Sequence, residues 1–425
     1  MLNNKLNVLK FTYVDLFSGI GGFRYGIELF QKSYPEYTFN CIKSVDIKKN
    51  AIKTYNHNFN EENKECDVRN VNNIPYFDIL CAGFPCQPFS SAGKREGFDD
   101  KKRGDLIYEV IRICKESQPE YLILENVSNI QTVKNGEVFK KIISEFSNIG
   151  YHMTWTLINS SQVGLAQDRK RMFIVGCYSR EISITITSNY KKSTIKDVID
   201  KTDTTSNIQP MFLEKLLQIP IKELIGKSIK DKRGGKSNIH SWDINFHGKI
   251  TECQKKLLNT ILLERRRKKW TTEKKIKWMD GTPLSFDDIK TFLNYDNLQE
   301  DLNELVNKKY LVLEYPKDIL NGKRFLNTNL SIGYNISKGK LSFPISKILH
   351  PDELSPTLTS TDSSKLAVVV DNTIRYLNET ELKRLCGFPE LFSLPTGVNK
   401  YELFGNMVCP PIIKEILQSL IVQSD

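Results

Sequence analysis

Long apolar runs are missing from this sequence. No stretch of its 425 residues approaches the roughly 20 consecutive apolar residues that cross a bilayer, so we expect no membrane-spanning helix. The opening residues, MLNNKLNVLKFTYVDLF, lack an apolar run followed by a small-residue cleavage site, which argues against secretion. Internal repeats and low-complexity tracts are also absent. The length then predicts a globular protein of two or three domains.

Metal-binding cysteine patterns are missing as well. The nine cysteines are scattered, and none forms a Cys-x-x-Cys pair or a cysteine–histidine cluster with zinc spacing. We therefore predict no metal site, and we expect reduced thiols in a cytoplasm. Most of these cysteines should be small core residues, and one of them is a candidate nucleophile.

Acidic side chains are the scarcer charged group. The formal net charge is +11, from 61 Lys and Arg against 50 Asp and Glu, and this balance favours polyanionic partners. Much of the surplus is local, because residues 251–280 carry ten basic and four acidic side chains, a net of +6. A solvated helix face is the alternative interpretation of such a run.

Residues 11–176 alternate between strand and helix patterns. Four short apolar runs, FTYVDLF, CIKSVDI, FDILCAGF and EYLILENV, are joined by segments such as the helical FRYGIELFQKS, and TWTLINS and RMFIVGCY resemble a closing hairpin-like pair. This alternation predicts an α/β sheet covered on both faces, in which ligands bind at the carboxyl ends of the strands. Near residue 180 the composition turns Lys-, Asn-, Ser- and Thr-rich, and we interpret residues 180–345 as a second domain.

Cys86 stands in the segment GFPCQPFSS, after a predicted strand and directly after Pro85. Proline fixes the backbone before the thiol, and the Gly- and Ser-containing segment 87–104 is expected to move. Basic neighbours such as Lys94 and Arg95 favour a thiolate, which is the nucleophilic form of cysteine. The alternative for Cys86 is a small buried core residue.

Two further motifs lie at strand ends. Glu125 follows the apolar run 121–124 and should be partly desolvated, which raises a carboxyl pKa and keeps a proton available. Arg169 and Arg171, in QDRKR, point to one side of an extended segment, where they suit a base carbonyl or a phosphate. The alternatives for Glu125 are a helix cap or a surface residue, and the alternative for the two arginines is an edge-strand charge pair.

These three motifs match the needs of one reaction. Cytosine C5 is a poor nucleophile, but attack of a thiolate at C6 makes C5 enamine-like. Protonation at N3 assists that attack, and a donor to O2 stabilises the developing charge. The reaction therefore calls for a thiol, a proton-bearing carboxyl and one or two arginines around one base.

The blocks DLFSGIGGFR, GFPCQPFS, ENV, QDRKR and GNMV, in this order, resemble the cytosine-C5 DNA methyltransferase family of the bacterial restriction–modification type. The resemblance covers about residues 11–176 and 350–420. It implies an α/β, Rossmann-like class I S-adenosylmethionine-dependent methyltransferase domain with a smaller, irregular target-recognition domain. Ile47 replaces a tryptophan that is frequent in the family, and Ala166 replaces a proline.

The resemblance also implies roles for individual residues. Cys86 would be the nucleophile, and Glu125 would contact N3 and the exocyclic amine. Arg169 and Arg171 would bind the base or position the catalytic groups. S-adenosylmethionine would be bound by Asp15, Phe17, Gly19, Gly21, Gly22, Asp46, Ile47, Asp67, Val68, Pro85 and Asn406. None of the five histidines falls in a block, so the proton lost from C5 would leave by water or a carboxylate.

The same resemblance divides the chain. Residues 1–185, completed by the helix of 401–425, would form the catalytic and cofactor-binding domain. Residues 186–400 would form the target-recognition domain, with 346–400 as its supporting segment. The segment 87–104 would close over a cytosine that has left the stack. DNA contacts are expected at Gln87, Ser90, Arg265, Arg266, Arg267, Lys268 and Lys269.

The predicted function is methylation of cytosine C5 in a specific duplex DNA sequence through a covalent Cys86–C6 adduct. The enzyme would act as a monomer and protect host DNA from a cognate restriction endonuclease, a genetic rather than a physical partner. Methylation of tRNA is a second hypothesis, but its Cys-Phe-Thr marker after ENV is not found. A non-catalytic DNA-binding protein on the same fold is a third, and the intact catalytic set argues against it.

Overall fold

The computed structural model describes residues 8–85, 106–186, 188–205, 207–235, 237–278, 280–320, 323–337 and 343–422. The chain divides into two compact units. Unit 1 comprises Met1–Asp200, Pro351–Ser363 and Asn378–Asp425, and unit 2 comprises Lys201–His350 and Ser364–Leu377. Among the described residues, no helix is both long enough and apolar enough to cross a membrane.

The boundaries of these units differ from the predicted ones. Residues 186–200, 351–363 and 378–400 were assigned to the target-recognition domain, but they belong to unit 1. Hydrogen bonds explain the difference, since the backbone N–H of Ile195 donates to the carbonyl of Glu353. The hydroxyl of Ser188 likewise donates to Glu415 at 2.7 Å. Such long-range pairings are not visible in a composition change.

Strands and helices alternate through the first half of the chain. In chain order they are β1 (Leu9–Leu16), α1 (Gly22–Ser33), β2 (Tyr37–Val45), α2 (Lys49–Phe59), β3 (Ile79–Ala82), α3 (Leu106–Ser117), β4 (Tyr121–Val127), α4 (Glu137–Asn148), β5 (His152–Asn159), β6 (Gln167–Asp168), β7 (Lys170–Cys177), α5 (Ile195–Val198), α6 (Pro210–Leu216), α7 (Ile221–Leu224), β8 (Ser228–Ile229) and β9 (Asn238–Ile239).

The remaining elements lie in the second half of the chain. They are α8 (Glu252–Glu264), α9 (Lys268–Glu273), α10 (Phe286–Lys290), α11 (Leu298–Asn307), β10 (Leu311–Glu314), β11 (Lys317–Leu320), β12 (Lys323–Leu326), β13 (Gly333–Ile336), β14 (Lys347–Ile348), β15 (Ser355–Pro356), β16 (Leu366–Val370), β17 (Thr373–Tyr376), α12 (Glu379–Cys386), α13 (Lys400–Gly405) and α14 (Pro410–Leu417).

A six-stranded sheet in the order β2-β1-β3-β4-β7-β5 forms the centre of unit 1. Strands β1 to β4 are parallel, and β7 runs antiparallel to both β4 and β5. The predicted α/β sheet and its closing hairpin-like pair are confirmed. The continuous apolar runs of β3 and β4 arise because helices cover both faces of the sheet. All four residues of β3 are buried.

Helices on the sheet bury one apolar stripe each. In α1 the buried residues Phe23, Ile27 and Phe30 recur at intervals of three or four, the spacing of one helix face. The C-terminal helix α14 begins with two prolines, which suit the first turn because its N–H groups need no partner there. Since α14 contacts α1, the end of the chain completes the layer on that face of the sheet.

Unit 2 consists of short elements around two small cores. One core surrounds Trp242, Trp270 and Tyr310 and includes α8, α11, β10 and β13. The other includes α6 and the small sheet β17-β16-β14-β8-β9. A capping box starts α8, in which the side chain of Thr251 accepts a hydrogen bond from the N–H of Gln254.

Candidate active site

A cleft of about 290 Å³ opens in unit 1 at the carboxyl ends of the parallel strands. Its walls come from the residues that follow β1 and β2, from Gly83 to Pro85 after β3, and from the end of β4. Helix α13 contributes Glu402 and Gly405. Parallel strands that end together leave such a crevice, which is where open α/β sheets bind their ligands.

Asp46 is the acid directly after β2, and it is 9% exposed. Its Oδ2 accepts the backbone N–H of Gly19 at 2.8 Å, and its Oδ1 accepts that of Lys48 at 2.8 Å. Burial raises the pKa of Asp46, and the hydrogen bonds from Lys48 and Gly19 oppose this rise. The carboxylate is therefore fixed between the glycine turn and the start of α2.

Most of the residues predicted to bind the cofactor line this cleft. Ile47 lines the cleft and is 61% exposed. Phe17 also lines the cleft and has a φ of +57°, a left-handed conformation that a non-glycine residue adopts only when its surroundings enforce it. The predicted residues that line the cleft are Phe17, Gly19, Asp46, Ile47, Asp67, Val68, Pro85 and Asn406.

Gly21 and Gly22 do not line the cleft, in contrast to the prediction. Gly21 has a φ of +86°, and a Cβ there would lie 2.3 Å from the ring of Phe59. A Cβ on Gly22 would lie 2.2 Å from the carbonyl oxygen of Val408. Both glycines allow tight packing around the start of α1, because a Cβ at either position would collide with a neighbour.

Asp15 also lies away from the cleft, beneath it in the sheet. It belongs to β1, is fully buried, and neither of its carboxylate oxygens has a hydrogen-bond partner among the described residues. Burial, with the nearby Asp46, raises the pKa of Asp15 well above its usual range. A role for Asp15 in cofactor contact was predicted; the structure places its carboxylate in a buried position that does not line the cleft.

Glu125 and Arg171 meet inside the cleft. The Nε of Arg171 lies 3.1 Å from Oε1 of Glu125, and the two side chains are 15% and 12% exposed. Burial raises the pKa of Glu125, whereas Arg171 and Arg169 lower it. The expectation of a desolvated acid at the end of β4 therefore agrees with the structure, and the acid has a cationic neighbour.

Arg169 lines the same cleft, but its guanidinium is held by the backbone. It is 2% exposed. Its Nη1 donates to the carbonyls of Leu358 and Gly405 at 3.1 and 3.2 Å, and its Nη2 donates to that of Met407 at 2.7 Å. Arg169 therefore ties three distant segments of unit 1 together at the wall of the cleft.

Asn126 is a site residue that the sequence did not single out. It is 2% exposed, and its Nδ2 donates to the carbonyl of Phe84 at 3.1 Å. This bond joins the end of β4 to the segment that leads into Cys86. Lys48 and Glu402 were missed as well, and they form an ion pair of 2.9 Å at the cleft wall.

Cys86, Gln87 and Ser90, together with the whole segment 87–104, lie outside the described residues. The described chain reaches Pro85, which lines the cleft. A Cβ on Gly83 would lie 3.8 Å from Oε2 of Glu125. The backbone that leads into Cys86 therefore runs beside the carboxyl group of Glu125.

The basic run 265–269 was predicted to contact DNA as a whole, but Arg265 is buried inside unit 2. It is 2% exposed, and its Nε donates to Oδ1 of Asn335 at 2.6 Å. Burial lowers the pKa of Arg265 to about 10. The helical spacing could have predicted this, because Leu258, Ile261 and Arg265 share the buried face of α8.

The other four residues of the run are exposed. Arg267 pairs with Glu264 at 2.9 Å, and Lys269 lies 3.8 Å from Glu273. Arg266 pairs with Asp280 at 2.5 Å. Exposed ion pairs are worth at most about 1 kcal/mol, so these pairings leave the cations accessible to a competing anion.

Known proteins resemble the chain along nearly its whole length. A sequence model of the C-5 cytosine-specific DNA methylases matches residues 11–422. The chain is 41% identical to the type II methyltransferase M.NlaIV of Neisseria lactamica, over 97% of this chain and 99% of the relative. It is 39% identical to the type II methyltransferase M.NgoBV of Neisseria gonorrhoeae, over 97% and 99%.

A solved structure has the same fold. It is a prophage-encoded Escherichia coli protein, described as a candidate DNA modification methyltransferase, with a TM-score of 0.51 and 20% identity over 96% of this chain and 98% of that one. The sheet of unit 1 is thus the Rossmann-like methyltransferase sheet that the sequence predicted. From its full-length match and its relatives, the chain belongs to the family of C-5 cytosine-specific DNA methylases.

Proposed function

We propose that this DNA (cytosine-5)-methyltransferase acts through Cys86 and Glu125 on a cytosine taken out of a specific duplex sequence, with S-adenosylmethionine as methyl donor. The observation that carries this proposal is the buried Glu125 beside Arg171, in the same cleft as Asp46. Burial raises the pKa of Glu125, which suits an acid that protonates the base. Asp46 stands at the end of a strand, where it suits the ribose diol of the cofactor.

The cleft fits S-adenosylmethionine by its donor set and its apolar surface. Asp46 would bind the ribose hydroxyls, because its carboxylate stands at the carboxyl end of β2. Ile47 offers an exposed apolar side chain for the adenine, with Asp67 and Val68 beside it in the cleft wall. When bound, the cofactor supplies an electrophilic methyl group.

The residues of the chain would supply the remaining chemistry. The thiolate of Cys86 forms a bond to C6 of the cytosine, and Glu125 donates its proton to N3. The electron pair displaced toward C5 makes that carbon nucleophilic, so it accepts the methyl group. Transfer of the C5 proton to water or a carboxylate, release of the thiolate from C6 and return of the N3 proton to Glu125 give 5-methylcytosine and restore the enzyme.

Unit 2 is the proposed target-recognition part of the protein. The exposed side chains of Arg266, Arg267, Lys268 and Lys269 would contact backbone phosphates, whereas the buried Arg265 would not. Gln87 and Ser90 would contact DNA next to the flipped base. We propose that the enzyme acts as a monomer in a bacterial cytoplasm and protects DNA from a cognate restriction endonuclease.

Bisulfite sequencing of DNA from a bacterial host that expresses the chain tests the reaction and reveals the modified sequence. We expect 5-methylcytosine at one fixed sequence context, and no modification with Cys86→Ala, although that variant should still bind S-adenosylmethionine. A duplex with 5-fluorocytosine at the modified position should trap wild-type protein covalently, because the fluorine cannot leave as a proton does. Methylation by Cys86→Ala would contradict the assignment of the nucleophile.

A further inference from the structure

Unit 2 carries a β-hairpin that meets solvent on both faces. Strand β11 pairs with β12, and all four residues of β12 are exposed although successive side chains point to opposite faces. Large apolar side chains are exposed along the same stretch of described chain, at Leu313, Tyr315, Leu320, Phe325, Leu326 and Ile332. An isolated two-stranded ribbon is marginally stable in water, and such an apolar patch marks an interaction surface.

The root of this hairpin is buried and rigid. Strands β10 and β13 precede and follow it and pair with each other, and every residue of β13 is buried. Asn335 in β13 accepts the Nε–H of Arg265 at 2.6 Å and donates to Oε1 of Glu314 at 2.6 Å. The two strands of this ribbon, β11 and β12, form an arm that is fixed at its base, and Leu320 is exposed at the far end of β11.

Arg324 lies on the arm and is stacked on an aromatic ring. Its guanidinium carbon is 5.1 Å from the ring centroid of Trp278, and the N–H of Lys277 donates to Oδ1 of Asp318 at 2.8 Å. Within the described residues Arg324 has no carboxylate in ion-pair range, unlike Arg266 and Arg267. Stacking orients the planar guanidinium and leaves its N–H edge available to a ligand.

We propose that the arm formed by β11 and β12 enters the major groove of the target duplex and that Arg324, in β12, reads a guanine there. This inference rests on the proposed function. A two-stranded ribbon fits the groove, which is about 12 Å wide, and an arginine fork matches O6 and N7 of guanine. The described part of the arm carries three cations against Asp318, a net of +2 that complements DNA. The apolar side chains of Leu320 and Phe325 suit thymine methyl groups.

Bisulfite sequencing of a plasmid library with randomised sequence tests the arm. In wild type it reports the full recognition sequence. With Arg324→Ala we expect one position to lose its preference for G·C, and kcat/KM on the wild-type sequence to fall about 10- to 100-fold. Arg324→Lys keeps the charge but not the fork, so we expect the same loss of preference. Lys222→Ala removes an exposed cation elsewhere in unit 2 and serves as the control.

The outcomes separate the arm from the reaction. If wild type methylates a fixed sequence and Arg324→Ala keeps both that sequence and the rate, the arm does not read bases. If Arg324→Lys restores the wild-type sequence preference, Arg324 contacts only a phosphate and the proposal is wrong. The same holds if Arg324→Ala lowers kcat/KM equally on all sequences. A shift from dimer to monomer in sedimentation, with the sequence preference retained, would assign the arm to contact between copies. A wild-type protein that leaves all cytosines of the library unmodified would instead refute the proposed function.

Discussion

Arg171 in β7 lies 3.1 Å from Glu125 in β4, through Nε and Oε1, although the two residues are 46 positions apart in the sequence. Burial favours the protonated form of Glu125, and Arg171 favours the ionised form. Burial and Arg171 therefore act in opposite directions on the pKa of this carboxyl, which in the proposed reaction must both give and take a proton. This balance is what a group that protonates N3 and later recovers the proton requires.

Glu125→Gln should lower kcat for methyl transfer by about 10²- to 10⁴-fold, because the amide cannot donate a proton to N3 in the same way. The dissociation constant of S-adenosylmethionine should change much less. Incorporation of labelled methyl groups into duplex DNA gives the first quantity, and calorimetry gives the second. Glu65→Gln, which alters an exposed carboxylate of unit 1, is the control. Wild-type turnover by Glu125→Gln would remove this residue from the mechanism.

Arg169 and Arg171 should respond differently to substitution. Arg169→Ala leaves the carbonyls of Leu358, Gly405 and Met407 without this donor. We therefore expect the free energy of unfolding of unit 1 to fall by about 3 kcal/mol or more. Arg171→Ala should cost less stability and abolish most of the activity. Urea unfolding followed by circular dichroism, together with a methylation assay, separates the two effects. Equal losses of stability would contradict the division of roles.

Asp15 should make stability depend on pH. Its pKa is raised in the folded state, so the stabilisation from its proton is complete below the unfolded pKa near 4 and is lost as the pH rises toward the folded pKa. The loss amounts to at most about 1.4 kcal/mol per pH unit. Between pH 5 and pH 8, the free energy of unfolding should therefore fall less in Asp15→Asn than in wild type.

Urea unfolding at several pH values measures the slope that the Asp15 prediction concerns. The absolute stability of Asp15→Asn at one pH does not decide it, because the amide buries an additional donor. Glu65→Gln should retain the wild-type slope, since that carboxyl is exposed. An identical slope in wild type and Asp15→Asn would show that Asp15 is ionised in the folded protein.

Replacing Arg267, Lys268 and Lys269 with glutamine should weaken binding to all duplex sequences evenly. Every phosphate that is no longer neutralised should reduce the slope of log K against log salt concentration by about one. Titration of a labelled duplex at several salt concentrations measures this slope. Arg265→Met should leave the salt slope unchanged and destabilise unit 2 instead, because that guanidinium is buried against Asn335. If the triple variant keeps the wild-type slope of log K against log salt concentration, residues 267–269 are a solvated face and do not contact phosphates.

Asn126→Ala should lower kcat about 10- to 100-fold while the affinity for S-adenosylmethionine stays near that of wild type. The substitution frees the carbonyl of Phe84, two residues before Cys86, and small displacements of a nucleophile are costly. Single-turnover methylation assays measure the chemical step directly. Trapping on 5-fluorocytosine duplexes should slow by a similar factor, and unaltered trapping would argue that Asn126 only supports the fold.

The sequence predicted the sheet of unit 1 well because its parallel strands are buried on both faces and appear as continuous apolar runs. It could not separate Asp15 from Asp46, since both follow apolar residues. Asp15 lies within β1, where its side chain projects into a packed face, whereas Asp46 follows the last residue of β2 and reaches the cleft. One residue of strand length decides between an acid buried in the sheet and an acid that lines the cleft.

Unit 2 was harder to predict because its elements are short. The dipeptide Asn321-Gly322 between KDIL and KRFL is a strong hairpin signal that could have predicted the pairing of β11 with β12. The attachment of residues 351–363 and 378–400 to unit 1 depends on hydrogen bonds across the chain, such as that between Gln167 and the carbonyl of Leu385. Local composition carries no information about such partners.

The positions of the carbonyl partners of Arg169 determine when, during synthesis, the active-site cleft can first form. Arg169 is separated from Gly405 by 236 residues, so a ribosome that adds 5 to 20 residues per second makes Gly405 about 10 to 50 seconds after Arg169. Until then the guanidinium lacks two of its three carbonyl acceptors, those of Gly405 and Met407. The nascent chain can form its parallel strands during synthesis, but its cleft can be completed only after residues 405–407 have been made.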